Sequence, residues 1–349
     1  MKIKTLPVYN GDSIIASIET DDGIKNILID GGIGRSIVLL TKEIERLNEL
    51  GQKIDLLIIT HIDDDHIGGI IKLFSRGDKY SKIVRRVWYN SGSTISSFFN
   101  NADSHEREID LVTDQLDISV KQGNTLEKKL EHLAIWQQEV IHNNLDVISF
   151  FGALIQILSP SIENLKTLNS SWQTERSKPE NISSSEVDYD KSIEELVACS
   201  LPSEDNSITN GSSIAFIIEH KDKKAVFLSD AHPSTVVDSL IRLGYSKSKP
   251  IVADIVKISH HGSSRNINTQ LLELIDCNKY IISTNGSKHG LPNKLCLAKI
   301  IANKSSGTEL FFNYSIVKDK SIFLNEDYAK YKFKCFDLSE TTFNYEITL

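Results

Sequence analysis

An α/β sandwich of four layers is the fold class this sequence predicts, and three observations predict it. Short apolar runs bounded by turn residues occur in both halves of the chain. Stretches with apolar residues three and four apart separate many of them. In each half a strand-rich opening gives way to alternating strand and helix, so two sheets placed back to back, with helices outside, satisfy both halves. No internal sequence repeat accompanies this pseudo-symmetry.

The elements follow in order. "DSIIASIET" and "IKNILIDGG" read as two strands joined by the turn "DDG", the second ending at Asp30 and two glycines. "IVLLTKEIERLNELG" has helical spacing and closes on Gly51. "IDLLII" is a buried strand, "HIGGIIKLF" a helix whose Gly68 and Gly69 permit close approach to the sheet, and "KIVRRVWYN" a further strand. The spacing in "TLEKKLEHLAIWQQEVI" predicts a helix over 125–141, within a helical insertion spanning 95–150. "ALIQILSP" returns to strand and stops at Pro160. From 161 to 207 the chain turns polar and reads as an insertion, partly disordered or lid-like, relieved only by "SIEELVACSL". "SSIAFIIEH" and "KKAVFLSDAH" form a second hairpin-like pair. "STVVDSLIRLG", "DIVKISHHGSS", "NTQLLELI", "KYIISTNGS", "NKLCLAKII" and "ELFFNYSI" then alternate helix and strand.

Composition sets the outer limits. A chain of 349 residues, 40% hydrophobic and 25% charged, can bury a large core, and a single domain over 1–349 fits. "MKIKTLPVYNGDS" has no long apolar stretch and no run approaches a membrane span, so a cytoplasmic protein without membrane partners is expected. Cys199, Cys277, Cys296 and Cys335 lack metal-binding or redox spacing and read as reduced thiols.

One stretch resists a purely structural reading. "THIDDDHIGG" sets two histidines and three aspartates directly after a core strand. Clustered carboxylates repel one another and resist desolvation unless water or a cation neutralises them. A solvated turn would do so, but a strand-to-helix corner is where open α/β proteins gather ligands. His61, Asp63 and Asp65 alternate and His66 follows, a spacing from which two pairs of ligands can converge on two neighbouring cations.

The same stretch resembles the first metal motif of the metallo-β-lactamase superfamily, HxHxDH, in the variant HxDxDH. That variant is typical of the nuclease-like domain of bacterial DNA-uptake channel proteins and of teichoic-acid phosphorylcholine esterases. The likeness extends through "NGDSIIASI", "ILIDGG", "IQILSP" and "NGSSIAFII", and the fold it implies is the four-layer αββα sandwich of metallo-β-lactamase type. It implies two divalent metal ions, zinc or manganese. His61 and Asp63 would hold the first, Asp65, His66 and His261 the second, and Asp230, at the end of "AVFLSD", would bridge them. Of His260 and His261 in "SHHGSS", one would complete the second metal and the other face substrate phosphate, and the sequence leaves open which. His232, two residues beyond Asp230, reads as structural.

There are departures. "STNGSKHGLPNK" resembles a late loop with a GHP-type sequence, but Leu291 separates His289–Gly290 from Pro292. No histidine lies between His142 and His220, where other branches supply a third ligand to the first metal, so Asn210, Ser212 or water would fill that place.

The chemistry implied is hydrolysis by metal-activated hydroxide, with His260 or His289 stabilising charge or protonating the leaving group, and with Lys288, Asn210 and Ser263 contacting substrate. A nuclease acting on DNA or RNA is the leading expectation. Hydrolysis of a small phosphodiester or nucleotide comes next, and a lactamase- or thioesterase-type carbonyl hydrolase after that. The net charge of −8 gives no global attraction to a polyanion, so nucleic acid would need local basic patches, for which Lys82, Arg85, Arg86, Lys257, Lys288 and Lys294 are candidates.

Overall fold

The computed structural model describes residues 1–99, 115–174, 187–304 and 307–349. The strands in chain order begin with β1 (Lys2–Thr5), β2 (Ile14–Thr20), β3 (Gly23–Ile29), β4 (Ile54–Ile59) and β5 (Val87–Tyr89). They continue with β6 (Ile148–Phe150), β7 (Ala153–Ser159), β8 (Ala215–His220), β9 (Lys223–Phe227), β10 (Ile251–Val252), β11 (Ile255–Lys257) and β12 (Ile275–Asp276). The last are β13 (Lys279–Ile282), β14 (Thr308–Phe312), β15 (Phe333–Asp337) and β16 (Glu346–Thr348).

One sheet runs β16-β1-β2-β3-β4-β5 and the other β15-β14-β13-β11-β9-β8-β7-β6, with β10 and β12 forming a small parallel pair. The expected hairpin is β2–β3, with Ile14 opposite Ile29. The strands that lead to the charged loops are parallel to their neighbours, β4 between β3 and β5, and β11 between β9 and β13.

Strand alternation divides the core into three clusters, and these establish the four-layer αββα sandwich. Ile27, Ile29, Leu56 and Ile58 point between the sheets, where they meet Ile155, Ile157, Phe216 and Phe227 of the second sheet. Leu28, Leu57 and Ile59 point outward onto Leu40, Ile44, Ile67 and Ile70 of the helices Ile37–Glu49 and Asp64–Phe74. Across the molecule, Val226, Val256 and Leu310 pack outward on Val236, Leu271 and Leu297. Each fully buried aliphatic side chain contributes about 2 kcal/mol.

Most elements lie where the sequence places them. The helix expected over 125–141 instead spans Gln115–Leu130. Beyond it the chain turns at Leu133, Ile135 accepts the Val87 N–H and Trp136 pairs with Val87, so this stretch leaves the helix and docks beside β5. In the 95–150 region, residues 100–114 lie outside the described residues. In the 161–207 region, helices cover Ile162–Thr174 and Ile193–Ala198, and residues 175–186 lie outside the described residues. No described helix is long and apolar enough to cross a membrane.

The parallel strands β4, β9, β11 and β13 deliver the loops 60–66, 228–231, 258–264 and 283–289 to one edge of the sandwich. Gly69 is needed there: a Cβ on it would stand 1.9 Å from the Gly31 carbonyl oxygen. The helix carrying His66 therefore seats directly on the end of β3, with the Gly69 N–H donating to Gly32 at 2.7 Å.

Candidate metal centre

His61 and Asp63 leave the end of β4, and Asp63 stands at the N-cap of the helix carrying Asp65 and His66. Asp230 follows β9, and His260 and His261 follow β11. The two second-sheet loops are fastened to each other, since His260 N–H donates to Ser229 at 2.8 Å and the Ser259 hydroxyl donates to Ala231 at 2.9 Å. Ser229, His260 and His261 all have positive φ, the left-handed backbone that L residues adopt at a cost of about 1 kcal/mol or more each. The left-handed turn at two consecutive histidines brings both rings toward Asp230.

All four imidazoles face one atom. Their Nε2 atoms lie 3.9 Å (His61), 3.5 Å (His66), 3.8 Å (His260) and 3.9 Å (His261) from Asp230 Oδ2. Asp63 Oδ2 is 3.6 Å from His61 Nε2, and Asp65 Oδ2 is 3.6 Å from His261 Nε2.

Each ring is aimed through its other nitrogen. His66 Nδ1 lies 2.8 Å from Asp30 Oδ2 and His261 Nδ1 2.7 Å from the Ser283 carbonyl. His61 Nδ1 meets Thr60 Oγ1 at 3.0 Å, and that hydroxyl is already spent donating to Asp30 at 2.7 Å. His260 Nδ1 meets Asn266 Oδ1 at 3.0 Å. Every one of these partners accepts, so each Nδ1 keeps a proton and each Nε2 is the nitrogen turned to the cluster, able to give its lone pair to a cation.

The electrostatics agree with a site built for positive charge. Burial alone would raise the Asp230 carboxyl, but His66, His260 and His261 outweigh it and hold it well below the usual range. Asp65 is likewise lowered against its burial, by His261 and His66. Burial would depress His66 and His260, yet Asp230 with Asp30 raises the first well above its ordinary value, and Asp230 with Asp205 brings the second to about 9.

The fit to metal can be judged from the atoms left without partners. His61 Nε2, His66 Nε2, His261 Nε2 and Asp230 Oδ1 are buried and make no hydrogen bond. Four such atoms side by side would be costly in a metal-free design, and nitrogen and carboxylate donors with no thiolate suit zinc or manganese. Two groups have ligand atoms all within 4.8 Å of one another: His61, His66 and Asp230, and Asp65, His66 and His261.

The remaining expected residues divide. Asn210, Ser263, Lys288 and His289 line a cavity of about 480 Å³ that opens over the cluster. Asn210 donates to Asp205 at 2.7 Å, and its buried Oδ1 has no partner. Ser212 turns away, its hydroxyl donating to Thr209 at 2.6 Å. Next to it, Thr209 donates to Asp63 Oδ2 at 3.0 Å. His232 is the N-cap position of the helix Pro233–Arg242, in keeping with a structural role.

Several basic residues expected near substrate are elsewhere. Lys257 is buried in an ion pair with Asp12 at 2.7 Å, and Lys294 in one with Asp327 at 2.7 Å. Arg85 pairs with Asp55 at 3.2 Å at the start of β4, the opposite end from His61.

Sequence reasoning missed the residues that aim the ligands: Asp30 and Thr60 behind His66 and His61, Asn10 donating to Asp65 at 3.0 Å, and Asp205 behind His260. "ILIDGG" drew notice as a strand end, and "NGDSIIASI" only for its family likeness. Nothing in the polar stretch around Asp205 signalled its place.

Part of the chain is similar to a known family. Residues 18–142 match the model of the metallo-beta-lactamase superfamily, a segment that includes His61, Asp63, Asp65 and His66. Among solved structures, the metallo-beta-lactamase fold protein YhfI from Bacillus subtilis aligns at 12% identity over 96% of this chain and 96% of its own, with a TM-score of 0.37. A metallo-beta-lactamase with a HARLDQ motif from Cronobacter sakazakii aligns at 13% identity over 72% of this chain and 76% of its own, with a TM-score of 0.31. MEM-A1, a subclass B3 metallo-beta-lactamase isolated from a soil metagenome library, aligns at 12% over 86% and 92%, with a TM-score of 0.32. No curated protein matches the sequence.

Proposed function

We propose that this chain is a binuclear metal-dependent hydrolase of phosphodiesters. The observation that carries the reading is the convergence of four imidazole Nε2 atoms on Asp230 Oδ2, each with its Nδ1 already committed to an acceptor. Asp65, His66 and His261 would hold one ion, His61, Asp63 and His260 the other, with Asp230 shared. Neighbouring residues Thr209 and Asn210 approach Asp63 and His260 respectively, which supports grouping those two. His260 thus takes the third-ligand place for which Asn210 and Ser212 were candidates.

Two divalent cations bound there would supply Lewis acidity toward a phosphoryl oxygen and toward water at neutral pH. The chain's own part is to hold and to orient. Three carboxylates, Asp63, Asp65 and Asp230, offset three of the four charges of two divalent ions and leave a net attraction for an anionic diester. Lys288, on the cavity wall, would bind a non-bridging phosphate oxygen, and His289 beside it, lowered by burial and by His260 and Lys288, would donate a hydrogen bond to the leaving oxygen as a neutral imidazole. Ser263 and the free Asn210 carbonyl would contact substrate hydroxyl groups.

A small phosphodiester is favoured over a polymer. Lys257 and Lys294 are consumed by buried partners and Arg85 sits at the far end of the sheet, while Asp188 and Asp205 share the cavity wall with Lys288. A phosphate chain running through would meet those carboxylates. The test is turnover by the manganese- or zinc-loaded protein of bis-p-nitrophenyl phosphate, cyclic and linear dinucleotides, labelled single- and double-stranded DNA and RNA, nitrocefin and a thioester. Hydrolysis of the small diesters ahead of all others is expected. If neither ion supports hydrolysis of any phosphodiester, the reading is wrong. Internal cleavage of nucleic acid that collapses with added salt would restore the nuclease.

A further inference from the structure

His260 differs from the other three imidazoles in what confines it. The side chains of His61 and His66 are 0% exposed and that of His261 3%, so close packing confines their rings in addition to the partners at Nδ1. The His260 side chain is 27% exposed at the cavity wall. A ring with that freedom needs polar partners to hold one orientation.

Asp205 stands behind it. Its Oδ2 lies 3.5 Å from His260 Nδ1 and accepts the side-chain amides of Asn210 at 2.7 Å and Asn266 at 2.9 Å. Asn266 in turn places its Oδ1 3.0 Å from the same His260 nitrogen. The Asp205 carboxylate therefore organises both amides around the ring. Asp205 is itself held, since its Oδ1 accepts the Ser207 N–H at 3.0 Å and its backbone N–H donates to Arg265 at 3.0 Å. Arg265 closes the stitch by donating to the carbonyls of Ser203 at 3.2 Å and Glu204 at 3.3 Å. Upstream, the helix Ile193–Ala198 is moored by Lys299, which donates to Val197 and Cys199, both at 2.7 Å.

We infer that Asp205 is a positioning residue for His260, fixing the Asn266 and Asn210 amides around Nδ1, and adding its own charge 3.5 Å away, so that Nε2 faces Asp230 and completes one of the two metal-binding sets. The inference rests on the binuclear reading proposed above. It gives the 199–207 stretch a definite task, which is to bring a carboxylate to the back of the one imidazole that packing does not hold. By anchoring the Asn266 amide with its oxygen toward Nδ1, the carboxylate fixes the tautomer and the orientation indirectly, and its charge strengthens the Nε2 donor.

The test uses the full chain, stripped of metal and titrated with zinc against a chromophoric chelator, as wild type and as Asp205→Asn, Asp205→Ala and Asp205→Glu. In Asp205→Asn and Asp205→Ala one of two ions should bind about 10- to 100-fold more weakly while the other stays within about two-fold, with Asp205→Glu recovering part of the loss. The metal-free melting temperature should match wild type. Cobalt in place of zinc should show an altered visible spectrum at one site only. Unchanged affinity for both ions would overturn the inference, and so would equal loss at both sites together with a lower metal-free melting temperature, the mark of a merely structural residue. A wild-type chain that takes up fewer than two ions would overturn the binuclear reading instead, a result distinct from any difference among the variants.

Discussion

His66 Nδ1 lies 2.8 Å from Asp30 Oδ2, and the same carboxylate accepts both the N–H and the hydroxyl of Thr60. One aspartate at the end of β3 thus orients His66 directly and His61 through Thr60. It also ties the end of β3 to the end of β4, so metal ligation and sheet geometry share a side chain. Asp30→Asn keeps the volume but supplies an amide where three donors need acceptors. Metal affinity should fall about 10- to 100-fold, and competition with a chelator of known strength measures it. Wild-type affinity in Asp30→Asn would show that the aim of the rings does not depend on this carboxylate.

The three consecutive aspartates of the loop should separate by function. Asp63 faces the cluster, bracketed by the hydroxyls of Ser119 at 2.8 Å and Thr209 at 3.0 Å. Asp64 points outward and accepts only an exposed hydrogen bond from Gln122 among the described contacts. Asp63→Ala and Asp230→Ala should reduce phosphodiester turnover to background with little change in fold. Asp64→Ala should keep turnover within about three-fold of wild type and stability within about 0.5 kcal/mol. Steady-state assays on the three variants decide it, and equal loss in all three would contradict the observed register.

How much of this was legible in the sequence depends on distance along the chain. The run from Ile54 to Phe74 carries its own meaning, because a buried strand, a charged turn and a glycine-bearing helix follow one another without a break. Asp230 and the His260–His261 pair were legible as polar residues ending apolar strands. What could not be read were pairings between remote segments, such as Asp12 with Lys257 or Asp205 with His260, since neither partner marks the other in sequence. Lys257 shows the cost: in sequence it is a cation beside two histidines, and only the fold reveals the carboxylate that consumes it. The misjudged helix over 125–141 has a similar origin. Leu126 and Leu130 belong to a helical face, whereas Trp136 and Val140 continue the spacing but pack beside β5.

The basic residues give a sharper test than the acidic ones. Lys288 lines the cavity and Arg85 does not. Lys288→Glu should raise KM for a small phosphodiester about ten-fold, the loss of one charge-assisted contact. Arg85→Glu should leave kcat/KM unchanged, its effect confined to stability through the pair with the buried Asp55. Loss of activity in Arg85→Glu would mean that substrate reaches the opposite end of the sheet.

Metal should also be visible in stability without any substrate. The buried partnerless atoms His61 Nε2, His66 Nε2, His261 Nε2 and Asp230 Oδ1 gain partners only when ions bind. Free ion at 100 times its dissociation constant stabilises the folded state by about 2.7 kcal/mol per site. Thermal unfolding with manganese or zinc, and again after EDTA, should therefore show a clear drop in melting temperature on chelation. Identical curves would argue that the cluster is not a metal centre.

Far from that edge, a buried carboxylate should set part of the acid stability. Glu43, on the helix Ile37–Glu49, lies 2.9 Å from Lys4 of β1 and 2.7 Å from Arg46. Burial would raise its carboxyl, but Arg46 and Lys4 outweigh it and hold it below the ordinary 4.5. A depressed carboxylate stabilises fully above its unfolded pKa and loses that contribution as pH falls through the lower folded value. Glu43→Gln should therefore cost about 2 kcal/mol at pH 7, discounting for the partly exposed Arg46, and the gap from wild type should close as the solution is acidified below 4.5. Urea unfolding of both proteins at pH 7, 5 and 3 measures it. A gap as wide at pH 3 as at pH 7 would assign the loss to packing and not to charge.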